Sequence, residues 1–151
     1  MSDATPFRPS KHIQQRTREW FRKAEHELAF LDYAPFDLDE PPTDTAGRMA
    51  HMVREYSLKA FLMLNKRKIT KTHDLVELLD ECILIDNDKD FEALRDDCQL
   101  LTRYRVEFTY PSPIPEQISV DEARLAIQKA QRIYKFVLRK AEVTGYSSSG
   151  E

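Results

Sequence analysis

Glycine is scarce in this chain, which has only three glycines in 151 residues, at positions 47, 145 and 150. Phosphate-binding loops need closely spaced glycines so that the backbone can approach the phosphate, and the sequence therefore excludes that class of nucleotide site. No apolar run approaches the roughly 18 residues of a membrane span. The N-terminal residues 1–9 are polar and lack the apolar core of a signal peptide. We therefore expect a cytoplasmic protein without a membrane segment.

Cysteine is equally scarce. Cys82 and Cys98 both fall at apolar positions of helical patterns, which predicts two buried free thiols. The four histidines and the two cysteines show no spacing typical of a metal site, so we expect no metal and no cofactor. The net charge of −3 excludes a general nucleic-acid binder, which needs a basic excess, and leaves room only for a local basic site.

Prolines and apolar periodicity divide the chain into helices. No proline lies between Pro42 and Pro111 or after Pro115, and proline breaks helix interiors. Apolar residues at three- and four-residue spacing predict five helices in the intervals between the proline clusters. Their expected positions are 11–33 with Ser10 as N-cap, 44–65, 74 to about 85, 88–108, and 120 onward with Ser119 and Glu122 as a capping box.

The predicted fold is all-α, an antiparallel up-and-down bundle of four to five helices. It occupies residues 10–143, between segments 1–9 and 144–151 that we expect to be disordered. The second helix is apolar around much of its girth, which predicts that it is central. Apolar residues also occupy more faces of this helix than the core of one chain should cover. A second copy of the chain would cover the remaining apolar surface, and this predicts a homodimer.

Two segments of the sequence indicate a particular family more specifically than the helical periodicity does. Residues 54–62 read REYSLKAFL and residues 71–75 read KTHDL. They resemble the signature of HEPN-domain proteins, a Glu-x-x-x-Lys-Ala helix followed by a Thr-His-Asp/Asn-Leu turn. Further similarity in the fourth and fifth helices extends the match over about 46–140. The resemblance implies an antiparallel bundle of four or five helices that is often a homodimer.

The resemblance also implies several possible functions. Some HEPN proteins are RNA-cleaving toxins, many of them encoded beside a nucleotidyltransferase that acts as antitoxin, and others are nucleotide-binding or protein-interaction modules. The nucleases carry an arginine, four to six residues and then a histidine on a late helix. This chain has no histidine after His73. Arg67 and His73 have the spacing, but they lie in the turn between the second and third helices. The absence of a late histidine predicts a module that binds rather than cleaves, with no catalytic residue.

The best candidate for binding is the segment 66–73, which reads KRKITKTH and precedes the start of a helix. Backbone N–H groups at a helix N-terminus attract anions, and neighbouring cations strengthen that attraction. We therefore expect Arg67, Lys68, Lys71 and His73 to bind a phosphate of a nucleotide or RNA, with Lys59 contributing from the second helix.

The same residues also allow interpretations in which they bind no ligand. The segment can be a solvated loop, and Glu55 with Lys59 can be an ordinary ion pair one helical turn apart. Three hypotheses follow: a dimeric nucleotide- or RNA-binding module partnered with a nucleotidyltransferase, a protein-interaction domain that binds no nucleotide, and a toxin-type ribonuclease with a non-standard site.

Overall fold

The computed structural model describes residues 8–66, 75–86, 89–108 and 118–148. Five α-helices account for most of them: α1 Lys11–Leu31, α2 Thr43–Leu64, α3 Leu75–Asp86, α4 Arg95–Phe108 and α5 Val120–Thr144. No strand occurs in these ranges, and the helices pack against one another. The predicted all-α bundle is confirmed. No helix in the described part of the chain is both long and apolar enough to cross a membrane.

Helix α1 begins where the sequence predicts and buries a slightly different face. The Ser10 hydroxyl accepts a hydrogen bond from the Ile13 N–H at 3.2 Å and caps the helix. The buried residues are Thr17, Phe21, Ala24 and Leu31. The apolar spacing of the sequence predicts a stripe of Ile13, Trp20, Ala24, Leu28 and Leu31. Phe21 enters the core instead of Trp20, which is only partly buried at the seam with α2.

Helix α2 is the central helix, as predicted. Fifteen of its 22 residues are buried, and it packs against all four other helices. One chain therefore covers the apolar faces of α2, and the argument for a homodimer from surplus apolar surface on this helix is wrong. The homodimer itself stays a prediction.

Helices α1 and α4 run antiparallel to α2. Trp20 of α1 contacts Tyr56, and Glu27 lies near Arg48, so residue numbers rise along α1 as they fall along α2. On the α4 side, His51 bonds to Leu101, and a Cβ at Gly47 would lie 3.5 Å from the Tyr104 ring. Helix α5 runs parallel to α2, because Ile118 lies at Gly47 and both Phe61 and Phe136 pack against Phe91.

The fourth predicted helix is divided in two. Residues Lys89–Leu94 form a 3₁₀ helix, and α4 begins only at Arg95. Three residues per turn place Phe91 and Leu94 on one side, and both are buried. The Phe91 ring lies between Phe61, at a centroid distance of 4.9 Å, and Phe136, at 5.2 Å.

The chain continues to contact the bundle after α5 ends. Gly145 caps the helix in the left-handed conformation, with φ 117°. Tyr146 is then buried against Phe21, at a centroid distance of 5.1 Å. Arg18 donates to the Ser147 carbonyl oxygen at 3.1 Å, and the Ser147 N–H donates to Gln14 at 3.0 Å. Segment 144–151 was expected to be disordered, and these contacts belong to its described part, 144–148. They arise because the Tyr146 ring covers an apolar gap beside α1.

Candidate functional site

Of the five residues predicted to bind a ligand, only Lys59 lies in the described part of the chain. Arg67, Lys68, Lys71 and His73 fall outside it, as does Asp74, the expected N-cap of α3. The last described residue before them is Lys66, which is exposed and has a left-handed backbone, with φ 58°. The phosphate site predicted on segment 66–73 therefore stays a prediction. Lys59 lies on α2, and its neighbours on that helix are described.

Lys59 is buried, and it is the last of three polar side chains that follow one another along one face of α2. Its Nζ donates to Glu55 Oε1 at 2.9 Å, and the residue is only 7% exposed. Glu55 Oε2 lies 3.9 Å from His51 Nε2. His51 Nδ1 lies 3.1 Å from the carbonyl oxygen of Leu101, so Nδ1 carries the proton that it donates. Spacing of four residues places all three side chains on the same face.

The predicted ion pair between Glu55 and Lys59 is present, but it is not a surface pair. A surface ion pair at this spacing is worth about 0.2–0.5 kcal/mol. The pair here is enclosed, with side-chain exposures of 9% for Lys59 and 1% for Glu55. Lys59 Nζ also lies 5.4 Å from the centre of the Trp20 ring. Lys59 therefore forms an interior ion pair beneath an aromatic ring, and its role in binding a ligand stays a prediction.

Arg54 is a second buried cation that the sequence analysis did not single out. It is fully buried, and its Nη1 donates to the backbone oxygen of Asp97 on α4. Burial lowers the pKa of Arg54 to about 10, while the nearby Cys98 and Asp97 act to raise it. The Asp97 carboxylate accepts from Lys129 Nζ of α5 at 2.5 Å. The sequence alone does not identify Arg54 as buried, since Arg48 on the same helix is exposed.

The Cys98 thiol next to Arg54 gives a pH-dependent test of this core. Burial raises the pKa of Cys98 from 9.0 to about 11. Between these values the folded thiol keeps a proton that the unfolded thiol has lost, so the folded state loses stability as the pH rises. We expect a Cys98→Ser variant to gain roughly 2–3 kcal/mol relative to wild type between pH 8 and pH 11. Guanidinium unfolding of both proteins across this range measures the difference. A difference that does not change with pH would contradict the burial of this thiol.

Two aromatic rings and two lysines meet at the α1–α2 seam. The centroids of Trp20 and Tyr56 are 6.0 Å apart, with 40° between the ring planes. Lys23 Nζ lies 5.6 Å from the centre of the Tyr56 ring, and Lys59 lies under Trp20. Both rings are partly exposed, and burial raises the pKa of Tyr56. We call Trp20, Lys23, Tyr56 and Lys59 the seam cluster.

Charge is divided along α1. Residues 8–23 contain six Lys or Arg and one Glu, whereas residues 24–47 contain seven Asp or Glu and no Lys or Arg. Because α2 runs antiparallel to α1, its last residues lie near the cationic half of α1. The α1 side of the bundle therefore has a basic end, formed by residues 8–23 with Lys66, and an acidic end, formed by residues 24–47. This order could have been found in the sequence.

Among the described residues, no three His, Cys, Asp or Glu side chains converge as a metal site would require.

Comparison with known proteins gives one match. A family model described as HEPN domain matches residues 17–141, most of the chain and all five helices in whole or in part. Neither the curated proteins nor the solved structures contain a match.

Proposed function

Because the chain belongs to the HEPN family, we propose that it is a homodimeric binding module for a nucleotide or an RNA phosphate, and that it works with a nucleotidyltransferase partner. The binding surface in this proposal is the basic end of the bundle. It combines the cations of residues 8–23 with Lys66 and with the basic segment 67–73 that follows in sequence.

The seam cluster is the observation that carries this proposal. Nucleobases stack on partly exposed aromatic rings, and each stacked base is worth about 1–3 kcal/mol. Tyr56 offers such a ring, covered by Lys23, whose side chain is exposed and free to swing toward a phosphate. Lys59 is fixed by Glu55, so it acts as a permanent positive charge under Trp20 rather than as a mobile ligand. The rings supply stacking, and the surrounding cations supply phosphate affinity.

We do not include RNA cleavage in this proposal. A ribonuclease needs a group near neutral pKa that can reach the 2′-hydroxyl, and histidine is the usual choice. His51 is fully buried and bonded to the Leu101 oxygen, so it cannot reach a substrate. The late helices α4 and α5 contain no histidine. These facts favour binding over the toxin-type hypothesis.

The single tryptophan makes the proposal directly measurable. Trp20 is the only tryptophan in the chain, so tryptophan fluorescence, excited where tyrosine does not absorb, reports on the seam cluster. We expect a nucleoside triphosphate or a short single-stranded RNA to quench Trp20, with an affinity that falls as salt is raised. Lys23→Ala and Lys71→Ala/His73→Ala should each weaken binding about fivefold or more, which calorimetry would quantify.

Lys135→Ala is the matched control, because Lys135 is an exposed lysine of α5 away from the seam. It should bind like wild type. Equal binding by every variant would place the ligand elsewhere on the chain. If the wild type binds neither ligand, the nucleotide proposal fails and the protein-interaction alternative replaces it.

A further inference from the structure

The outer face of α1 opens into an apolar groove at the acidic end of the bundle. His26, Ala29, Phe30 and Tyr33, with Pro35 of the following loop, line an open volume of about 560 Å³. Phe30 is 71% exposed and Tyr33 is 88% exposed. Two large aromatic side chains side by side in solvent are unusual on a monomeric surface and mark an interaction site.

Exposed carboxylates follow the groove residues closely in sequence. Asp32, Asp37, Asp39 and Glu40 are all exposed, and no Lys or Arg occurs between Lys23 and Arg48. Asp32 is also the C-cap of α1, where the helix dipole is already negative.

Two cations reach this corner from neighbouring helices, and both have local partners. Arg124 of α5 lies over the Phe36 ring at 5.1 Å. Arg48 of α2 acts on Glu27. The four exposed carboxylates of residues 32–40 therefore outnumber the two cations that reach this corner.

We propose that this groove is the docking site for a cationic amphipathic helix of a partner protein. The lining residues of α1, at positions 26, 29 and 30, follow helical spacing, and Tyr33 of the turn after α1 extends this surface against which a second helix can pack. Apolar side chains of the partner fill the groove between Phe30 and Tyr33. Lysine or arginine side chains flanking them meet the carboxylates of the loop and the negative end of α1.

A second copy of the chain does not fit the groove. A two-fold axis through the groove brings the carboxylates of both copies together. A two-fold axis that crosses α1 at its midpoint, between Arg22 and Lys23, places the basic half of each copy of α1 against the acidic half of the other copy. It then places Phe30 opposite Gln15 and Tyr33 opposite His12, which are polar residues. The first geometry brings like charges together, and the second places the aromatic side chains against polar ones. Neither geometry therefore both fills the groove and neutralises the nearby carboxylates. Anionic lipid and nucleic acid are repelled by the same carboxylates.

This inference goes beyond the proposed nucleotide function and is independent of it. The groove lies on the acidic half of α1, and the seam cluster lies toward the basic half, so the variants that test one site leave the other intact.

The probe is a fluorescein-labelled 14-residue helical peptide with leucines on one face and lysines on the other, titrated with the full chain by fluorescence anisotropy. We expect binding that weakens as salt rises. Phe30→Ala/Tyr33→Ala should weaken it about tenfold or more, because aromatic anchors carry most of the energy of such interfaces. Asp37→Asn/Asp39→Asn should weaken it severalfold and flatten the salt dependence.

Matched controls separate the groove from general attraction to an acidic protein. Val143→Ala removes another exposed apolar side chain, 82% exposed on α5, and Asp96→Asn/Glu142→Gln removes two other exposed carboxylates. Both should bind like wild type, and a peptide with glutamate in place of lysine should not bind. The proposal is overturned if the wild type does not bind the lysine peptide, if it binds the glutamate peptide equally, or if groove and control variants behave alike. It is also overturned if sedimentation shows a dimer that Phe30→Ala/Tyr33→Ala converts to monomer, because the groove would then join two copies.

Discussion

Replacing Lys59 with methionine is expected to destabilise the folded chain by about 3–5 kcal/mol. The Glu55 carboxylate, which is 1% exposed, would lose the cation that donates to it at 2.9 Å. Removing one partner of an interior ion pair leaves the other charge out of water without compensation, and that cost exceeds what the pair itself contributes. Guanidinium unfolding followed by circular dichroism measures the loss.

The double variant Glu55→Gln/Lys59→Met is the control, because it removes both charges and keeps similar side-chain volumes. We expect it to recover most of the stability lost in the single variant, since neutral side chains do not need the compensation that ions need. A loss below about 1 kcal/mol in Lys59→Met would mean that water screens this pair as it screens surface pairs, contrary to its burial.

The second large effect is expected at Phe91, where alanine should cost about 3–5 kcal/mol. The ring is fully buried between Phe61 of α2 and Phe136 of α5, so its removal opens a cavity among three elements. Leu84→Ala on α3 is the comparison, because Leu84 is 79% exposed and its truncation should change stability little. Similar unfolding midpoints for the two variants would show that the 3₁₀ helix does not anchor the core.

Element positions followed from the sequence because capping and periodicity are local properties. Ser10 and Ser119 cap the helices that their spacing predicts. The 3₁₀ helix was missed because an apolar pair three residues apart fits an α-helix and a 3₁₀ helix equally well, and only packing of Phe91 against Phe61 decides between them. Phe21 and Trp20 are a similar case. Both lie within the broad apolar arc of α1, and the Tyr146 ring from the far end of the chain covers the former.

The chemistry along α2 was harder to predict than the helix itself. The sequence identifies Glu55 and Lys59 as a pair one turn apart, but exposure decides whether such a pair lies on the surface or in the core, and exposure depends on the other four helices. Arg54 illustrates the same limit, since its bond to the Asp97 oxygen joins residues 43 apart in sequence. The division of charge along α1 needs no tertiary information and was available from residue order.

The contact between Phe21 and Tyr146 also affects the order of events during synthesis. The two rings are separated by 125 positions, and a ribosome adding roughly 5–20 residues per second makes the second one about 6–25 s after the first. Helices α1 and α2 are joined by a short connection and can pair early. The Phe21 side of α1, however, lacks the Tyr146 ring until that residue has been translated. During that interval the nascent chain exposes an aromatic surface that is buried in the folded protein. A chaperone could bind this surface during the same period.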